Sequence, residues 1–352
     1  MTEQLLTWYN EYKRDLPWRK TQDPYYIWVS EIILQQTRVV QGINYYFNFI
    51  KSFPTLKSLA LSNEDKVMTA WQGLGYYTRA KNLHTTAKFI YYNCNNQFPN
   101  NYSGLIKLKG IGPYTAAAIA SLAFNEKVPA LDGNVYRVLS RLLGINTPID
   151  STKGKKDFFN AAEQLIDAKD PGTSNQAFIE LGALICTPKQ PRCHECPVMD
   201  NCYAYSHNKT ATLPVKGKTT KTRNRYFNFL IIHYKGEIAI HKRIGKDIWN
   251  ALYQLPLIET SAKTSFEKLA KNKDWVSLFG NANINISKVS KIVKHILSHQ
   301  IIYGKFIHIH IMDKTFTPQK DWIFIEPQSY IKYAFPVMIT KYLSTLDNFH
   351  DL

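Results

Sequence analysis

Four of the five cysteines of this 352-residue chain, Cys186, Cys193, Cys196 and Cys202, fall within the run CTPKQPRCHECPVMDNC. Thiolates spaced C-x6-C-x2-C-x5-C could hold zinc or a [4Fe–4S] cluster, because both take four cysteine sulfurs. Zinc ribbons pair one tight C-x2-4-C with a second. Here only Cys193 and Cys196 form a tight pair and the outer two approach singly, which favours the cluster. His194 lies inside a loop whose four sulfurs already complete a site, so it is expected to be solvated. Lys189 and Arg192 give the same loop a basic surface suited to a phosphate backbone. Cys94 stands alone and reads as a half-buried free thiol.

Two carboxylates carry a second kind of chemistry. Glu31 sits in WVSEIILQQTRVV, among residues that are apolar on several sides. A carboxylic acid in such surroundings has its pKa raised and suits a general acid; the bland alternative is a partly exposed Glu in the first turn of a helix after Ser30. Asp132 opens PALDGNVYRVLSRLLG, where Asp132 or Asn134 caps an amphipathic helix ending at Gly144. Taken alone, that Asp is only a cap. Between the two lies Leu108-Lys109-Gly110-Ile111-Gly112-Pro113-Tyr114-Thr115, a Gly-x-Gly turn with Pro at the first helical position. Such a helix-hairpin-helix lets the backbone approach a phosphate at Gly110 and Gly112 and offers it the free N–H groups of the next helix.

The elements that must position these residues change character midway. From Leu5 to about Tyr205 the apolar residues recur at helical spacing, as in VLSRLLG and AAEQLI. Residues 206–225, SHNKTATLPVKGKTTKTRNR, hold almost no large apolar side chain and read as a linker between a helical domain (1–205) and a second domain (226–350). Beyond it, YFNFLIIHY, EIAIHKR, KFIHIHIM and WIFIE read as strands, with helices expected near Thr264–Lys271 and Val337–Leu346. The fold class is therefore multi-domain, all-α followed by α+β. Lys plus Arg exceed Asp plus Glu by 44 to 27, a formal charge of +17, so an extended polyanion is the natural partner. No stretch approaches the roughly 20 apolar residues of a membrane span, and no signal peptide is apparent. A cytoplasmic protein is expected, with clustered cysteines as ligands rather than disulfides.

These motifs, in this order, resemble the endonuclease III superfamily of helix-hairpin-helix DNA glycosylases, and within it the adenine DNA glycosylases of the MutY type. The resemblance runs through LPWR (16–19), SEIILQQTRV (30–39), GLGYYTRAKNLH (73–84), LKGIGPYTA, LDGNVYRVL and the cysteine loop. It implies a [4Fe–4S] cofactor on Cys186, Cys193, Cys196 and Cys202, and a double-stranded DNA partner containing adenine paired with 8-oxoguanine or guanine. It implies that Glu31 protonates a flipped adenine, that Asp132 stabilises the sugar cation, and that Tyr114 and Asn134 assist. Strand-cleaving members of the superfamily carry a Lys where this chain has Tyr114, so base removal that leaves an abasic site is expected. An endonuclease III-like lyase acting on oxidised pyrimidines is the alternative. The same matching places Trp18, Arg19, Leu34, Val39 and Gln176 around the adenine and makes Gln36 and Tyr76 wedges in the duplex.

The second half resembles the Nudix-fold domain that follows the glycosylase domain in this family, through DIWNALYQLPLIE and KHILSHQIIYGKFIHIHIM. By that resemblance Ser298 and His299, with Thr37 from the first half, inspect 8-oxoguanine. Leu297 stands where an aromatic residue is common. The Gly-x5-Glu-x7-Arg-Glu-x2-Glu-Glu pattern of active Nudix enzymes is missing, so this half is expected to recognise rather than hydrolyse. A monomer is sufficient for a duplex held by two domains of one chain.

Overall fold

A computed structural model describes residues 1–217, 222–245 and 247–346. The chain divides into two compact units, Met1–Ser62 with Arg79–Thr219, and Asn63–Thr78 with Thr220–Leu352. The fold class follows expectation, helical first and α+β second.

The helices before residue 207 are α1 (Thr2–Tyr12), α2 (Pro24–Leu34), α3 (Val39–Ser52), α4 (Leu56–Ala60), α5 (Glu64–Ala70), α6 (Thr78–Asn93), α7 (Tyr102–Leu105), α8 (Pro113–Phe124), α9 (Gly133–Leu143), α10 (Thr152–Leu165), α11 (Pro171–Leu184) and α12 (Tyr203–Ser206). Helix α2 starts earlier than a Ser30 cap would allow. Asp23 accepts from the Tyr25 N–H at 2.8 Å and Pro24 fills the first helical position, so Glu31 lies in the helix interior. Leu5 and Tyr9 of α1, Val138 and Leu142 of α9, Phe158 of α10 and Phe178 and Leu181 of α11 build one core, against which Cys186, Cys196 and Cys202 pack. The hairpin is α7, a turn, and α8. Gly110 has φ of 81°, and a Cβ there would meet the Asn82 Cβ at 2.6 Å, so the turn requires glycine.

The region expected to be a linker is ordered where it is described. Leu213 is buried, its carbonyl accepts from Arg141 Nε at 3.0 Å, and the Ile149 N–H donates to the Val215 carbonyl at 3.1 Å. A segment without a core of its own is held here by donors of the helical unit.

The second unit holds a mixed sheet of β1 (Arg223–Tyr234), β2 (Glu237–Lys242), β3 (Tyr253–Gln254), β4 (Leu257–Thr260), β5 (Ile284–Val289), β6 (Val293–Ile296), β7 (Gln300–Ile311) and β8 (Ile323–Ile325). Its order is β3-β2-β1-β7-β5, with β4 on β1, β6 on β7 and β8 on β2. The long strands β1 and β7 pair in parallel, from Arg223 opposite Gln300 to His233 opposite His310. Strand alternation sends Phe227, Phe229, Ile231 and Phe306 to one face, covered by Met338, Ile339 and Leu343 of helix 337–343. Leu230, Ile232, Ile307 and Ile309 face the other way, onto Leu269 and Trp275 of helices 266–269 and 273–279. Burial on both faces explains why these strands read as nearly continuous apolar runs.

Candidate active site

A cavity of about 500 Å³ in the helical unit gathers side chains from α2, α8, α9 and α11. Glu31, Tyr114, Asp132, Asn134, Trp18, Arg19, Leu34, Val39 and Gln176 line it, as do Gln36 and Thr37. Every first-unit residue expected at the adenine or its chemistry is thus on one surface. Gly110 and Gly112 are not; they lie exposed in the hairpin. Tyr76, Ser298 and His299 belong to the second unit and are exposed, and the hydroxyls of Tyr76 and Ser298 are hydrogen-bonded to each other.

Glu31 is 5% exposed. Burial pushes its carboxyl up to about 7; the Asp132 charge adds to the shift, while a hydrogen bond with Tyr114 and the charge of Arg19 oppose it. Burial, with both carboxylates close by, raises the Tyr114 hydroxyl well above its ordinary range. Asp132 combines both of its readings, being the N-cap of α9 and a wall of the cavity. Its Oδ1 accepts from the Asn134 N–H at 2.9 Å and the Val135 N–H at 2.8 Å, and its Oδ2 from Asn134 Nδ2 at 2.7 Å. Burial raises its carboxyl, and these bonds pull it back. The site thus sets a carboxyl protonated near neutral pH beside one whose ionised form is held by three donors and a helix start.

Arg19 reaches this cavity from a short 3-10 turn, Pro17–Arg19. Its Nε donates to Gln176 Oε1 at 3.2 Å, which links two of the side chains expected at the base. Sequence reasoning missed what aims it. Glu180 is fully buried and accepts from Arg19 Nη2 at 2.8 Å and from Arg14 Nη2 at 2.6 Å. Burial would raise the Glu180 carboxyl, but the hydrogen bonds of Arg14 and Arg19 win and hold it at about 2. The signal was present, since Glu180 in AFIELGALI is as isolated among apolar residues as Glu31. Arg137 was missed as well. Its Nη2 donates to Asn134 Oδ1 at 2.8 Å and its Nε to the Cys186 carbonyl at 2.7 Å. Arg79 Nη1 donates to the carbonyls of Ile32 and Gln35 at 2.7 and 2.6 Å, satisfying the end of α2 beyond Glu31.

Gln36 and Tyr76 have φ of 60° and 47°. Left-handed backbone at a Gln and a Tyr costs roughly 1 kcal/mol or more each, and such strain concentrates at functional positions.

The four cysteines line one small void with Arg141, whose Nη1 lies 3.4 Å from Cys186 Sγ. Burial, then the neighbouring thiols, push the Cys196 thiol to about 11, against a hydrogen bond from the Val198 backbone. Among the described residues no three His, Cys, Asp or Glu side chains converge closely enough for a single metal ion. Four cysteine side chains around one void supply the donor set that a [4Fe–4S] cluster takes. His194 is exposed, as expected, with its ring edge-on to Tyr205.

Residues 29–166 match the HhH-GPD superfamily of base excision DNA repair proteins, residues 186–202 the iron–sulfur binding domain of endonuclease III, and residues 228–345 the NUDIX domain. The cofactor of the loop is therefore a [4Fe–4S] cluster. An adenine DNA glycosylase of Buchnera aphidicola subsp. Schizaphis graminum is 38% identical over 88% of this chain and 85% of its own length. Another, of Buchnera aphidicola subsp. Baizongia pistaciae, is 35% identical over 98% of this chain and 96% of its own length. Among solved structures, a thermostable thymine-DNA glycosylase is 28% identical with a TM-score of 0.55, over 58% of this chain and 95% of that one.

Proposed function

Because the chain belongs to the adenine DNA glycosylases of the HhH-GPD superfamily, we propose that it removes adenine mispaired with 8-oxoguanine, or with guanine, and leaves an abasic site. Its partner is duplex DNA carrying that mispair, engaged by one copy of the chain. It acts in the cytoplasm, on the chromosome; among the described residues no helix is long and apolar enough to cross a membrane. The chain comprises a glycosylase domain over 1–205, a linker over 206–225 and a recognition domain over 226–350.

The observation that carries this reading is the placement of Glu31, Tyr114 and Asp132 on one cavity with Glu31 raised to about 7. Glu31 delivers its proton to N7 of the extruded adenine, the C1′–N9 electron pair departs with the base, and the sugar becomes an oxocarbenium-like cation. Asp132 stabilises that cation before water adds at C1′. General acid catalysis of this kind contributes about 10²- to 10⁴-fold. Tyr114 occupies the position of the lyase Lys, and a phenol raised far above its usual range is no amine nucleophile, so no Schiff base forms.

Arg19 and Gln176 face the edges of adenine, with Trp18, Leu34 and Val39 against its faces. Gln36 and Tyr76 fill the gap left by the extruded base. Ser298, His299 and Thr37 read 8-oxoguanine, Gly110 and Gly112 meet the phosphate backbone, and the cluster on Cys186, Cys193, Cys196 and Cys202 shapes a basic loop beside the duplex.

The test is single-turnover reaction with a labelled duplex bearing adenine opposite 8-oxoguanine, with and without hot alkali. Breaks only after alkali are expected. Breaks without alkali would overturn the hydrolytic reading, and no breaks from cluster-loaded, DNA-binding protein would overturn the substrate.

A further inference from the structure

Residues 63–78 precede the hairpin in sequence, yet they form one compact unit with the sheet. Side-chain hydrogen bonds tie them there. Asp65 Oδ1 accepts from Lys242 Nζ at 2.6 Å, and Asp65 Oδ2 from the Tyr253 hydroxyl at 3.4 Å. Gln72 Nε2 donates to Thr340 Oγ1 at 3.3 Å, and the Tyr77 hydroxyl to the Phe335 carbonyl at 3.3 Å. The Tyr76 hydroxyl meets that of Ser298. The anchors are spread over β2, β3, the helix 337–343 and the loop before β7.

Within the segment the turn is tightly knit. Trp71 Nε1 donates to the Gly75 carbonyl at 3.2 Å, and the Gly73 N–H to the Tyr77 hydroxyl at 3.2 Å. Gly73, Gly75 and Tyr76 all have positive φ, at 97°, 70° and 47°. The two hydrogen bonds join Trp71, at the end of α5, to Gly75, and Gly73 to Tyr77 across the turn, so what fixes α5 also fixes Tyr76. An ion pair, Lys242–Asp65, ties α5 to the sheet, with side chains 33% and 48% exposed and the Lys242 ammonium 5.6 Å from the Tyr253 ring centroid.

We propose that Lys242 and Asp65 are positioning residues that set the wedge turn 71–77 on the sheet, and thereby determine specificity for the base opposite adenine. The proposal rests on the reading of Tyr76 and Ser298 given above. Ser298 can report the opposite base to Tyr76 only while the turn is seated. Losing the pair unseats the turn and weakens discrimination, with no direct change at Glu31 or Asp132.

Two measurements on full-length, cluster-loaded protein test this with Lys242→Met, Asp65→Asn and the conservative Lys242→Arg. The first is the ratio of single-turnover adenine excision rates opposite 8-oxoguanine and opposite guanine. A fall of about three- to fivefold is expected for the first two variants, the scale of a half-exposed ion pair, and a retained ratio for Lys242→Arg. An unchanged ratio, or equal loss of both rates, would overturn the specificity role. The second is amide hydrogen exchange over residues 71–77 of the free protein, which should quicken in Lys242→Met and not in Lys242→Arg. Unchanged exchange would overturn the positioning role whatever the substrate. If the wild type excises adenine opposite neither base, the functional reading and the specificity role fall together, and exchange still decides the seating.

Discussion

Asn134 grips Asp132 twice, through its own N–H to Oδ1 at 2.9 Å and through Nδ2 to Oδ2 at 2.7 Å. The backbone bond is part of helix capping and would survive a change of side chain. The Nδ2 bond would not, and it orients the oxygen that the cap leaves free. Asn134→Ala is therefore expected to slow adenine excision by about 10- to 100-fold, the worth of a hydrogen bond to a charged group. Duplex affinity should hold. Single-turnover rates beside equilibrium binding separate the two, and a rate within twofold of wild type would show that Asp132 needs no such orientation.

Excision should also follow pH in a definite sense. Glu31 must be protonated to act as an acid, and its carboxyl is raised to about 7, so the rate falls as pH rises through that value. Asp132 acts ionised, so the rate falls again on the acid side, in a range shifted upward from that of an ordinary aspartate because its carboxyl too is raised. A single-turnover pH profile checks both limbs. Glu31→Gln should abolish the reaction at every pH, and a surviving alkaline limb in that variant would assign the limb to another group.

The same burial has a cost in stability. The Glu31 carboxyl titrates near 4.5 when unfolded and about 7 when folded. Between those values the folded chain holds a proton that the unfolded chain has released, so this contribution is complete below 4.5 and is lost as pH rises through 7. By pH 8 the fold carries a buried carboxylate, at a cost on the order of 3 kcal/mol. Glu31→Gln stays neutral and should unfold at a higher temperature than wild type at pH 8, with little difference at pH 5. Equal differences at the two pH values would place the carboxyl in a wetter setting.

What was legible in the sequence depended on how local its cause was. Cys186 to Cys202, the Gly110 turn and the Asp132 cap each announce themselves within at most seventeen residues, because ligand spacing and capping are local. The strands were legible from their alternation and runs, since burial on one or both faces writes itself along a strand. The alternative in which a helix begins after Ser30 fails because Asp23-Pro24 caps α2 earlier, and the apolar run from Tyr25 favours the longer helix. Glu180 stood out as a lone acid in an apolar run, but its pairing with Arg14 spans 166 positions and that of Arg137 with Cys186 spans 49, so what these residues hold was not legible. The seating of residues 63–78 on the sheet was hidden for the same reason. Asp65 and Lys242 are ordinary surface residue types, and only the fold brings them together.

Glu180 gives the sharpest test of the unforeseen part of the site. It accepts from both Arg14 and Arg19 with its own side chain fully buried, so Glu180→Gln leaves two guanidinium groups facing a neutral amide that can satisfy only part of their donors. Removing one partner of a buried ion pair costs about 3–5 kcal/mol. Because Arg14 is one-third exposed and can turn to water, the lower end, about 3 kcal/mol, is expected. The wild-type contribution has its own pH signature. The Glu180 carboxyl is held at about 2, below its ordinary 4.5, so its stabilisation is full above 4.5 and is lost as pH falls towards 2. Urea unfolding at pH 7 should therefore separate the two proteins, and acidification should bring them together as the wild type loses what the variant never had. A constant gap down to pH 2.5 would mean that packing of the Glu180 side chain, rather than its charge, holds Arg14 and Arg19 in place.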